Sequence, residues 1–205
     1  MTSRLDQKSE TRRKLIEVSL ELSAQKGFSS LSLREVAQAA GITPAGFYRH
    51  FQEMEDLGLA LLDEVGLSLR RLLREARRRL GRDPRVVEVS VGTFMDYVTE
   101  NAHLFRIFLG ERQGASKAFR KAIHEEIDRF VGELTEDLGK GALDKNRPLS
   151  SASYAAEAII AVVFTVGAEA LDLPKHKREN LSIRLIEEVK MILRGAQLRR
   201  RLPHV

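Results

Sequence analysis

The chain contains no cysteine and no tryptophan in 205 residues, and proline occurs only five times. Without cysteine there is no disulfide framework, no thiol nucleophile and no thiolate metal site. The five histidines, His50, His103, His124, His176 and His204, share no i, i+4 spacing of the kind that brings two imidazoles to one metal. No catalytic nucleophile, base or metal set stands in the C-terminal region, so neither an enzyme nor a resident cofactor is expected. Long uncharged runs are also missing. The longest in the apolar C-terminal part runs from Ala158 to Ala168 between Glu157 and Glu169, short of the roughly 20 apolar residues a spanning helix needs, and no membrane segment is expected. The opening stretch MTSRLDQKSETRRK is polar where a secretory signal has an apolar core, which makes the cytoplasm the expected compartment.

What is present is a mixture of 43% hydrophobic and 31% charged residues, enough for one subunit of one or two small domains. Lys and Arg number 34 against 29 for Asp and Glu, a net charge of +5, which permits a polyanionic partner. Apolar residues recur at spacings of three and four almost throughout, and no run alternates long enough to read as a strand, so the fold class is all-α. Gly and Pro punctuation at Gly27, Gly41 to Pro44, Gly81 to Pro84, Gly110 to Gly114, Gly139 to Pro148 and Pro174 divides the chain into about nine helices.

A first helix is expected from Ser9 to Lys26, stopped by Gly27. Ser32 with Glu35 reads as a capping box that opens a short helix ending at Gly41. Thr43 is a good N-cap and Pro44 suits the first helical position, so a third helix is expected from Pro44 to about Phe51. The segment LSLREVAQAAGITPAGFYRHF from Leu31 to Phe51 then has helix-turn-helix spacing, with Val36, Ala37, Ala40, Ile42 and Phe47 turned inward. An ordinary helical hairpin has the same spacing. What distinguishes this one is an outer face bearing Arg34, Tyr48, Arg49 and His50, all donors for phosphates or base edges.

The stretch from Thr11 to Leu57, with its GFSSLSLREVA entry, AGI turn and FYRHF helix, resembles the DNA-binding region of the TetR family of bacterial repressors. The resemblance implies a homodimer whose third helix lies in the major groove of double-stranded operator DNA and whose C-terminal region binds a small effector. By position, Arg34 contacts a base or phosphate, Thr43, Pro44, Ala45 and Gly46 lie against the groove, and Tyr48 and His50 hold phosphates. Where the family often has lysines after the recognition helix, Gln52, Glu53, Met54, Glu55 and Asp56 stand here, and the acids suit the dipole of the next helix instead. The segments DLGLALLDEVGLSLRRLLREARRR, SVGTFMDYV, LFRIFLGERQGASKAFRKAI and VVFTVGAEALDL further resemble the regulators of unsaturated fatty acid synthesis of the FabR and DesT type. That likeness implies a long-chain acyl-CoA effector.

Helix four, from Met54 to Leu80, is too long and too apolar to serve a three-helix head alone. Its leucines and the phenylalanines of the next helices offer an apolar wall free of carboxylate pairs, and such a wall suits an alkyl chain at about 0.8 kcal/mol per buried methylene. With the resemblance, Leu62, Val65, Leu69, Phe94, Val98, Phe105, Phe108, Val163 and Phe164 become the expected ligand-binding residues. Arginine fills seven of the thirteen positions from Arg70 to Arg82. Most of these are read as a solvated face; that group, or a second one of Arg106, Arg112, Lys117, Arg120 and Lys121, is expected to flank a CoA head. The arginines from Arg199 to Arg201 read as a solvated tail. The segments Tyr154–Leu171 and Leu181–Leu193, the first rich in alanine, are expected to pair with their symmetry mates as a four-helix dimer interface.

The expectation is a helix-turn-helix domain over residues 1–53 and an effector-binding and dimerisation domain over 54–205, together forming an acyl-CoA-responsive repressor of desaturase genes. The alternatives are a repressor of the same fold that senses a drug or other hydrophobic compound, an enzyme with a helix-turn-helix appendage, and a non-specific architectural DNA binder.

Overall fold

The computed structural model describes residues 4–80, 83, 85–102, 105, 106, 108, 116–144 and 149–198. Among them, every delimited element is helical: α1 Arg4–Lys26, a 3-10 turn Phe28–Ser30, α2 Leu33–Ala39, α3 Pro44–Phe47, α4 Met54–Leu80, α5 Val86–Glu100, α6 Lys117–Asp144, α7 Ala152–Ala170 and α8 Lys175–Leu198. The all-α expectation holds. Of the helix expected between α5 and α6, Ala102, Phe105, Arg106 and Phe108 are described and helical, the Phe105 amide donating to the Asn101 carbonyl at 3.0 Å; the rest of it, Arg112 of the second basic group and the Arg199 to Arg201 run fall outside the described residues.

Packing sorts the chain into two units, one from Met1–Leu67 with Asn101–Ile123 and one from Ser68–Glu100 with His124–Val205. Both α4 and α6 contribute to each unit. The division expected after residue 53 separates the helix-turn-helix motif from the rest of the chain at a single point, whereas packing groups these discontinuous segments.

In the first unit, α1 begins earlier than the expected Ser9. Hydroxyls of Ser9 and Thr11 donate back to the carbonyls of Asp6 and Gln7, each at 2.8 Å, and Asp6 lies in the positive first turn. Gly27, at φ 81°, closes the helix with its amide on the Ser23 carbonyl at 2.9 Å. The core of the head is Leu15, Val36, Ala37, Phe47, Phe51 and Leu57, with Leu31 and Ala40 at its margin. Ser19 and Ser23 are fully buried here, and among the described residues their hydroxyls have no hydrogen-bond partner.

The start of α4 is held by Asp56, which accepts from the Gln52 and Glu53 amides at 2.9 and 3.3 Å. Ser116 caps α6 by accepting from the Phe119 amide at 3.1 Å and donates its hydroxyl to Glu55. Gly58 lies where the Phe28 and Phe119 rings meet α4: a Cβ there would come within 2.5 Å of Phe119 Cζ and 2.7 Å of Phe28 Cε1.

In the second unit, Phe164 of α7 meets Phe94 of α5 at 5.9 Å and Phe130 of α6 at 5.4 Å between ring centroids. Small residues Ala155, Ala156 and Ala170 on α7 are buried, as are Leu181, Leu185 and Val189 on α8, and α7 packs along α8. Arg184 joins Glu169 at 2.6 Å and Lys190 joins Glu88 at 2.8 Å across the helices. By length and composition α7 is apolar enough to cross a membrane, as core helices often are, a correction to the charge-free-run criterion: Glu157 and Glu169 lie near its ends and leave its middle uncharged.

One sequence reading is refined in this unit and one is overturned. Arg71, Arg74 and Arg78 of α4 are exposed, but the face is not only solvated: Arg70 pairs with Glu126 and stands 3.4 Å from Glu133, Arg74 reaches Glu133 at 2.8 Å and Arg77 reaches Asp137 at 2.7 Å. The apolar wall is likewise interrupted by charge: Glu126 is 1% exposed, and the Arg70 guanidinium lies 5.8 Å over the Phe130 ring. The acids sit at i, i+7 and i+11 of α6, the spacing of one helix face, and the arginines at i, i+4 and i+7 of α4. This ladder also helps explain why α6 runs through Gly139 and Gly141, where a break was expected. Asp137 is tied down just before them, and the glycines cost only about 1 kcal/mol each relative to alanine.

Gly58→Ala should lower stability by about 1–3 kcal/mol through overpacking against Phe28 and Phe119, read by chemical denaturation. By the same measurement, Glu126→Leu should cost up to about 3–5 kcal/mol by removing the buried partner of Arg70 and leaving it only the longer contact to Glu133, and adding Arg70→Leu should restore most of the loss.

Candidate nucleic-acid interface

The start of α2 is fixed by Ser32, whose hydroxyl accepts from the Glu35 amide at 3.3 Å. A hydrogen bond from Lys26 at 2.5 Å, with help from the Ser32 amide, holds the Glu35 carboxyl below its ordinary value. Arg34 is exposed on this first turn. The turn after α2 is closed by two backbone bonds, Ile42 to the Ala37 carbonyl at 2.9 Å and Gly41 to the Gln38 carbonyl at 3.0 Å. That pattern requires the left-handed residue supplied by Gly41 at φ 72°.

Thr43 then caps α3 by accepting from the Gly46 amide at 3.1 Å, with Pro44 at the first helical position. The helix is shorter than the expected Pro44 to Phe51. After Phe47 the bonds tighten to three residues, Arg49 to Gly46 at 3.2 Å and His50 to Phe47 at 2.8 Å, and the chain continues as turns. Phe47 is fully buried; Thr43, Pro44, Ala45, Tyr48 and Arg49 are exposed, and Gly46 and His50 are half-buried. Tyr48, 59% exposed, stands edge-on to Phe47 with ring centroids 5.9 Å apart. The eight residues singled out for DNA thus lie on α2 and on α3 with the turns after it, seven of them in one continuous segment.

Sequence reasoning missed two neighbours of that segment. Arg12 of α1 lies 4.5 Å over the Phe51 ring, and Lys8, one turn earlier, acts on the same imidazole. Burial, then Lys8, Arg12 and Arg49, push the His50 pKa below its ordinary 6.5. The i, i+4 spacing of Lys8 and Arg12 on the polar face of the first helix was the signal available.

Two family models match this chain: that of the bacterial regulatory proteins of the tetR family over residues 15–61, and the tetracyclin repressor-like C-terminal domain over residues 85–192. The chain belongs to the TetR family. It is therefore a DNA-binding transcriptional regulator rather than an enzyme, in a family whose members bind operator DNA as homodimers. Solved structures share the fold. A transcriptional regulator from Rhodococcus sp. Rha1 is 21% identical with a TM-score of 0.74, over 94% of this chain and 99% of that one. NemR of E. coli in its reduced form is 21% identical at 0.72, over 89% and 97%. The fatty acid degradation regulator FadR of Bacillus halodurans is 16% identical at 0.67, over 89% and 94%.

The nine residues expected to bind ligand in this TetR chain are all buried. Leu62, Val65, Phe105 and Phe108 belong to the first unit, where Phe105 and Phe108 stack with centroids 6.1 Å apart. Leu69, Phe94, Val98, Val163 and Phe164 belong to the second. A cleft of about 190 Å³ lies elsewhere, lined by residues of α7 and α8 including Tyr154, Ala155, Ile192 and Ala196.

His50 gives this interface a pH signature. Its lowered pKa means that stability from the neutral imidazole is present above pH 6.5 and lost as the pH falls through that value toward the folded pKa. Burial, the larger cause, would persist in a DNA complex, but a phosphate docked on the cations would offset their repulsion and raise the pKa, so that binding would take up a proton. Operator affinity should therefore rise as the pH is lowered from about 7.5 to about 6, and His50→Gln should flatten that dependence in a fluorescence anisotropy titration.

Proposed function

We propose that this regulator is a homodimeric repressor of genes for unsaturated fatty acid synthesis, working in the cytoplasm, whose hold on its operator is set by long-chain acyl-CoA. Two α3 segments read half-sites about one helical turn, roughly 34 to 36 Å, apart. Arg34 and the segment from Thr43 to His50 carry the contacts to DNA. An acyl chain lodged among the buried leucine, valine and phenylalanine side chains favours one packing of the core over another and so changes the distance between heads. A coupling of about 1 to 3 kcal/mol suffices, and it is reciprocal between operator and ligand.

The observation that carries the effector reading is the set of closely packed rings at Phe94, Phe130 and Phe164, together with the likeness of the surrounding segments to FabR and DesT regulators. The similarity to a fatty acid degradation regulator of the same fold is in keeping with it. For the dimer, support comes from large apolar side chains left exposed on one chain: Tyr154 at 68% on α7, Ile183 at 62% and Met191 at 63% on α8. These helices, within Tyr154–Leu171 and Leu181–Leu193, are the proposed isologous interface.

One observation favours a second reading, a repressor that senses a drug or other hydrophobic compound. The Arg70–Glu126 pair places charge beside the Phe130 ring, which a plain hydrocarbon chain does not call for. Native mass spectrometry of gently purified protein separates the two, since a co-purified fatty acid or acyl-CoA supports the first. In operator-binding titrations, replacing Phe105 or Phe164 with a charged residue should abolish the response to acyl-CoA while operator binding is retained; an undiminished response places the ligand elsewhere.

A further inference from the structure

The family match to the DNA-binding region begins at residue 15, yet α1 starts eleven residues earlier, at Arg4. Two cations of the head are engaged within the fold: Arg13 pairs with Glu17 at 2.8 Å and Lys26 with Glu35 at 2.5 Å. Lys8, Arg12 and Arg49 are exposed, none has a carboxylate within ion-pair distance among the described residues, and all three act on one imidazole, that of His50. Lys8 and Arg12, four residues apart, project from one face of α1. The guanidinium of Arg12 is laid on the ring of Phe51, which is only 4% exposed, so its side chain is held in place before any ligand arrives. Beside it stands His50, whose Nδ1 is buried and, among the described residues, has no hydrogen-bond partner.

Three like charges acting on one place, none of them with a carboxylate in ion-pair distance among the described residues, repel one another and depress the protonation of a neighbouring imidazole. Such a cluster is relieved by an anion. Its position, directly after the segment whose outward face bears Thr43, Pro44 and Ala45, selects a polyanion that runs past that segment: the sugar–phosphate backbone of the duplex itself. We propose that Lys8 and Arg12 form a phosphate clamp on α1, gripping the DNA backbone alongside the groove that α3 enters. The helix then contacts DNA directly as well as supporting the core of the head. This rests on the reading of α3 as the groove-binding element.

The clamp predicts a salt signature without a sequence signature. Each phosphate neutralised on duplex DNA contributes about 0.9 to the slope of log affinity against log salt, and each residue is present twice in a dimer. Lys8→Gln should therefore reduce the magnitude of that slope by about 1.8, and Lys8→Gln with Arg12→Gln by about twice as much. Affinity for operator and for unrelated duplex should fall by similar factors. Arg12 also packs on Phe51, so thermal melting of each variant is measured alongside, and Lys8→Gln, at an exposed position, stands as the deciding variant. An unchanged slope for Lys8→Gln overturns the clamp. Failure of the unmodified protein to prefer any duplex in a selection from random sequences would instead overturn the groove-binding reading of α3, with the salt slopes of the variants read separately on non-specific DNA.

Discussion

A helix of four residues has no stability of its own in water, and what keeps the recognition segment presented to solvent is first the burial of one ring, Phe47. The Thr43 cap and Pro44 set the direction in which the segment starts. Phe47 then pins it to the core of α1, α2 and the first turn of α4, and Phe51 pins its far end. The exposed side chains around those anchors, Ala45, Tyr48 and Arg49, are released from core packing, which suits a surface that must fit a groove. Display of the outer face thus depends on two buried rings and one cap.

The second unit poses a different problem. Its aromatic cluster has a charged ladder alongside it, and a buried ion pair is seldom a source of net stability. What it does supply is register. Arginines at three positions of α4 and acids at three of α6 are satisfied together in one alignment, and displacement by a turn breaks the Arg70 pair and leaves the buried Glu126 only Arg129 of its own helix. Helices so indexed do not slide gradually; they hold one arrangement or move to another discrete one, which is the behaviour a ligand-biased switch requires.

The head was legible in the sequence to near residue precision, because its signals are local. A serine three before a glutamate, a glycine at a left-handed corner and a threonine–proline pair each dictate geometry through bonds that span at most five residues. The length of α3 was less legible: continuation beyond Phe47 is decided by how Phe47 and Phe51 both reach the core, a tertiary matter. The ladder was missed for a similar reason. Arg70 and Glu126 are 56 positions apart in the chain, and a run of arginines looks the same whether it faces water or a neighbouring helix. Lys8 and Arg12 escaped notice because a polar helix face is usually only solvated. Their meaning appears once folding sets them beside His50.

Ser19 and Ser23 sit one turn apart in the most tightly closed part of the head, and among the described residues neither hydroxyl has anything to bond to. An orphaned hydroxyl of this kind forfeits about 1 to 3 kcal/mol of hydration, so the reading head is weaker than its packing alone would make it. A pair of alanines would give a more stable head, because no hydroxyl would be desolvated on folding.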